Sequence, residues 1–122
     1  MAAKTRGQHE AEMTRAIIQF EKDYLGRGPT DARTYFVHDM IVIRLTGILT
    51  PAEVKVAESE EGRLLVKRTR RMLFETSRPL LDEIVRRILG CRVISLHTDM
   101  STVTGERVIV MTVDTDLDDR FA

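Results

Sequence analysis

Met13, Ala16, Ile17, Phe20 and Tyr24 recur at three- and four-residue spacing, while Glu10, Glu12, Arg15, Gln19 and Lys22 fall largely elsewhere. The pattern predicts an amphipathic helix over residues 8–25 with one buried stripe. Gly26-Arg27-Gly28-Pro29 closes it, because glycine permits a left-handed turn and proline forbids continuation. Residues 33–38 and 40–48 then carry β-branched and aromatic side chains around a turn at His38-Asp39. In the second strand Ile41, Ile43 and Leu45 point one way, and Val42, Arg44 and Thr46 the other. One face is core.

Thr50-Pro51-Ala52-Glu53 is a helix start: threonine caps free backbone N–H groups, proline has none to lose, and glutamate reaches back. The helical stretch extends to Gly90, and Gly62 is expected to divide it into residues 51–60 and 63–89. Pro79 removes a donor inside the longer part, so a kink or break is expected near residues 76–78. Leu65, Met72, Leu73, Leu80, Leu81, Ile84, Val85, Ile88 and Leu89 supply a wide apolar stripe. A second hairpin follows over residues 91–97 and 107–113, joined by a polar loop, and its last strand is apolar on both faces, as a central strand would be.

This order predicts an α+β fold: a four-stranded, mostly antiparallel sheet with helices on one face. One domain is expected over residues 1–122, with an ordered core at about 8–114, a frayed N-terminus and a solvated acidic end at residues 114–119. Apolar groups on several sides of the long helix and last strand lead us to expect a homodimer.

Composition narrows the function classes. Nineteen Lys plus Arg balance nineteen Asp plus Glu, so any basic surface is local, and with no Trp sequence-specific nucleic-acid binding is disfavoured. No apolar run approaches the roughly 20 residues that span a bilayer. The single Cys91 fits a reducing, cytoplasmic setting as a packed thiol.

Little here commits to catalysis. Ser77, Ser95 and Ser101 have no evident His and Asp partners in a hydrolase motif, and Gly26 to Asp31 matches no phosphate-binding fingerprint. His38, Asp39, His97 and Asp99 could form a metal or acid–base site only if the two hairpin ends converged. Lys67-Arg68-Thr69-Arg70-Arg71 is the most prominent charge run; on a helix it wraps around, serving as a solvated surface or a contact for acidic groups.

The order of several motifs resembles the MpsC-like family, long a domain of unknown function. These are Gly26-Arg27-Gly28-Pro29, Leu49-Thr50-Pro51-Ala52-Glu53, the segment from Glu61 to Lys67, Ser77-Arg78-Pro79-Leu80-Leu81, Leu96-His97-Thr98-Asp99 and Thr104-Gly105-Glu106. The resemblance spans about residues 7–113. It implies an accessory or regulatory protein near a Na+-translocating, membrane-potential-generating complex, with no agreed catalytic residues, cofactor or metal to carry across. Contact with a membrane-transport partner is then expected through Lys67, Arg68, Arg70 and Arg71, from the cytoplasm at the inner face of the membrane. The alternative is a small-ligand or anion sensor built from Arg27, Gly28, Arg33, Arg78, His97 and Asp99.

Overall fold

Thr5 starts the first helix in a computed structural model that describes residues 4–121. Its hydroxyl accepts from the Gln8 N–H at 3.2 Å while its own N–H donates to Gln8 Oε1 at 2.7 Å, so two otherwise orphaned donors are satisfied reciprocally. Helix α1 therefore runs Arg6–Phe20 and begins inside the stretch expected to fray. Residues 1–3 lie outside the described residues. Beyond Phe20 the helix widens into a π turn, Glu21–Leu25, which ends at Gly26 with φ 123°. The wider turn moves the inward position from Tyr24 to Leu25, leaving Tyr24 exposed and Glu21 buried.

Strands β1 (Asp31–Val37) and β2 (Met40–Thr46) form the first hairpin, with His38 at φ 57° in its turn. Helix α2 (Pro51–Val56) has the expected capping box between Thr50 and Glu53. Helix α3 (Glu60–Leu89) is capped by Ser59, so the division falls at residues 57–59 and not at Gly62. Gly62 serves packing instead: a Cβ there would lie 1.7 Å from the Val56 carbonyl oxygen. Helix α3 also continues through Pro79 without a break. Proline fits the helical φ, and its missing N–H leaves one helical bond unmade.

Strands β3 (Val93–Met100) and β4 (Arg107–Val113) complete an antiparallel sheet of order β1-β2-β4-β3. Strand β4 is interior, as its two apolar faces required. The β3–β4 register shifts between Val93 and Ser95, a bulge at Ile94 on the edge strand. Helices α1 and α3 share one core with the inner face of the sheet, through Met13, Ile17 and Phe20, Phe74, Leu81 and Val85, and Ile41, Ile43, Ile109 and Met111. The α+β architecture with helices on one face is thus present.

Two expectations about burial change. On α3 the inward residues are Gly62, Val66, Arg70, Phe74, Ser77, Leu81, Val85 and Leu89, a four-residue step broken once by three; Leu65, Met72 and Leu73 are exposed. The acidic end is not simply solvated. Asp116 caps a short helix α4 (Leu117–Arg120), Leu117 is fully buried, and its N–H donates to the His38 carbonyl at 2.7 Å.

Candidate functional site

Three buried charged residues, Glu21, Arg70 and Arg107, and the partly exposed Glu53 gather where the π turn, the middle of α3, the start of α2 and the start of β4 meet. Arg70 is 2% exposed. It donates from Nε and Nη2 to the two Glu53 carboxylate oxygens at 2.8 and 2.5 Å, and from Nη2 to the Ile48 carbonyl at 2.9 Å. The same Glu53 carboxylate closes the α2 capping box, so one side chain holds both the helix start and a buried arginine. Burial alone would raise its pKa, but the Arg70 hydrogen bonds and the Thr50 N–H hold it below the ordinary 4.5.

Glu21 and Arg107 form the second pair. The Glu21 side chain is fully buried, with Oε1 3.7 Å from Arg107 Nε; neither of its oxygens accepts a hydrogen bond. Burial pushes its pKa above the ordinary 4.5 against the pull of the Arg107 and Arg70 guanidinium groups. Arg107 donates from Nη1 to Thr98 Oγ1 at 3.0 Å, and its guanidinium carbon lies 5.0 Å from the Phe74 ring centroid. Above this pair a small pit of about 20 Å³ opens between α3 and β3, lined by Lys67, Arg71, Phe74, Thr98, Asp99 and Arg107. Lys67 Nζ reaches Asp99 Oδ1 at 3.2 Å on its rim. That volume suits a water-sized group.

Because the Glu53 pKa is depressed, its contribution to stability is complete above the unfolded value and lost as pH falls through the folded one. Urea denaturation followed downward from pH 6 should show the wild-type midpoint falling below about pH 4.5. Glu53→Gln, less stable throughout, should lose less over the same range.

The expected site residues do not form one cleft. Arg33 and Asp99 stand in one cross-strand row, Arg33–Arg44–Val108–Asp99, on opposite edge strands about 14 Å apart. Arg27 and Gly28 lie in the loop after the π turn, with Arg27 exposed, and Arg78 is eight residues beyond Arg70 on α3. Only Lys67, Arg71 and Asp99 come together. Arg70 faces inward and presents nothing to a partner, unlike Arg68 and Arg71. The His38-Asp39 turn and the β3–β4 turn sit at opposite ends of the sheet, so no four-residue metal or acid–base site assembles. His38 instead meets Asp118 at 2.9 Å. Among the described residues no group of three or more His, Cys, Asp or Glu could hold a metal ion. Cys91 is buried, and burial pushes its thiol pKa up.

The sequence pattern marks Glu53 only as part of a helix cap and does not mark Glu21 or Arg107. The available signal was charge in an apolar register: Glu21 follows Ile17 by four residues, and Arg107 alternates with Ile109, Met111 and Val113.

No helix among the described residues is long and apolar enough to cross a membrane. No solved structure matches the chain. Uncharacterized protein YbcI of Bacillus subtilis (strain 168) is 47% identical over 115 residues, covering 94% of this chain and 93% of that protein. Uncharacterized protein YrhF of the same organism is 27% identical over 110 residues, covering 89% and 90%. The family described as Na+-translocating membrane potential-generating system (MpsC) matches residues 5–115, and the chain belongs to it.

Proposed function

We propose that this chain is an accessory component of a Na+-translocating, membrane-potential-generating system, held at the cytoplasmic face of the membrane and acting by protein contact as a homodimer. Family membership supports the association with such a system. The observation that supports contact is the outer surface of α3. There Arg68 and Arg71 are exposed and Lys67 half-exposed, beside the uncovered Leu64, Leu65, Met72 and Leu73. Cations interleaved with uncovered apolar side chains suit an acidic, partly apolar protein segment: the apolar area supplies affinity, and the charges supply orientation and rate. The buried Glu53–Arg70 and Glu21–Arg107 pairs lie directly beneath and hold that part of α3 against α2, the π turn and β4.

Co-purification of the tagged chain with the membrane subunits of such a system tests this reading. Capture is expected at low ionic strength and should weaken as salt rises. Lys67→Glu combined with Arg71→Glu should reduce it about tenfold or more, since two attractive charges become repulsive. Capture unchanged by that double variant, or none of those subunits recovered, would overturn the contact mechanism.

A further inference from the structure

The outer face of the sheet is the molecule's other uncovered apolar surface. Its cross-strand rows follow from the register: Arg33–Arg44–Val108–Asp99, Tyr35–Val42–Val110–His97 and Val37–Met40–Thr112–Ser95. Tyr35 and Val37 are exposed, while Val42, Val108 and Val110 are only half-buried on strands whose inward-facing side chains are buried. An antiparallel sheet with a solvated face ordinarily places polar residues there. This one has Val42, Val108 and Val110 on the two middle strands, with Arg44 beside Val108 held to Glu106 of its own chain at 2.8 Å, and a cation at one corner and an anion at the other corner of the same end. Arg33 and Asp99 are both well exposed, at 67% and 76% of their side chains.

We infer that two copies of this chain stack through these faces about a two-fold axis parallel to the strands, with Arg33 of each opposite Asp99 of the other. Such an axis lays β1 over the partner's β3 and β2 over its β4, and returns each row to its own image. Tyr35 then faces the partner's His97, and Val42 the partner's Val110. The charges select this axis. A two-fold running across the strands would set Arg33 over the partner's Val37 and Asp99 over the partner's Ser95, leaving each with only its own chain's partner, Asp31 at 3.5 Å and Lys67 at 3.2 Å, and no charge pair between copies. Sheets stacked this way cross at about 30°, which displaces the corners by only a few ångströms and leaves them within reach of an arginine side chain.

Size is consistent with a modest dimer. Strands of seven or eight residues, four abreast, make a face of roughly 19 by 23 Å. Two such faces bury on the order of 1,000 Å² in all, at the lower limit for a specific interface. Association in the micromolar range is the expected result. The inference gives a location to the homodimer proposed above and leaves the α3 surface free for a membrane partner.

Charge exchange tests it. Arg33→Asp and Asp99→Arg should each weaken self-association about tenfold or more in analytical ultracentrifugation, because each places like charges opposite one another twice per dimer. Mixed one to one, the two variants should pair with each other, since every corner contact is then again between opposite charges. Melting curves establish that each variant is folded. Tyr35→Asp, at an exposed position on the middle row, provides a further disrupting variant should Asp99→Arg fail to fold without its Lys67 contact.

A wild-type chain that stays monomeric at high micromolar concentration would overturn the inference. So would a dimer indifferent to Arg33→Asp and Tyr35→Asp, or two folded variants that fail to pair on mixing. These masses are read on pure protein, so they stand apart from whatever the co-purification experiment returns.

Discussion

Arg107→Met should lower the free energy of unfolding by about 3–5 kcal/mol, the usual cost of removing one member of a buried ion pair. The loss comes less from the missing attraction than from Glu21, which would remain fully buried with only the Arg70 guanidinium, already committed to Glu53, to offset its charge. Glu21→Met alone should cost a similar amount for the mirror-image reason, stranding a guanidinium against Phe74 and Thr98. The double variant should recover most of the loss, because two apolar side chains of matching volume remove both desolvation costs together. Urea denaturation of the four proteins gives the coupling free energy directly, and additive losses would show that the pair does not act as a unit.

The pH dependence of Arg107→Met adds a second signature. Glu21 already has a pKa above its ordinary value, and losing the guanidinium that opposes burial moves it further up. A carboxyl raised in the folded state contributes its full stability below the unfolded value and loses it as pH rises through the folded one. Stability of the variant should therefore fall as pH rises above about 4.5. That slope is opposite in sign to the acid loss expected from Glu53.

Gly62→Ala should destabilise the protein by about 1–3 kcal/mol, although alanine is the better helix former by roughly 1 kcal/mol. The added methyl would sit 1.7 Å from the Val56 carbonyl oxygen and 2.7 Å from its carbon, and backbone cannot rotate aside as a side chain can. Relief requires α2 to move away from the start of α3. Because α2 carries Glu53, that movement also strains the Arg70 contacts. A melting temperature unchanged or raised in Gly62→Ala would show that α2 yields freely.

Much of the fold could be read from spacing alone. Period-two strands, the Thr50–Glu53 capping box and the glycines after each long helix are local signals, and the element order and antiparallel sheet followed from them. What local signals could not supply was the partner of each charge. Arg70 reads as one more cation in a basic run, yet its Glu53 lies 17 positions earlier and across a turn. Glu21 and Arg107 are 86 positions apart, and each looks like a polar interruption until the chain is folded. At Pro79 only the break is ruled out, since proline counts as a breaker by propensity while the packing of Ser77, Leu81 and Val85 carries the helix through it. The acidic end misled because one leucine, Leu117, outweighs the four aspartates around it.

The two outermost strands govern how such a protein behaves when crowded. Strand β3 carries a bulge at Ile94 and, further along, the Lys67–Asp99 contact; β1 begins with Asp31 and Arg33. Irregular backbone and charge along both rims discourage a foreign strand from extending the sheet sideways. With lateral growth impeded, the uncovered apolar area is left to the outer face of the sheet and the outside of α3. The sheet is therefore shaped to resist open-ended growth by strand addition.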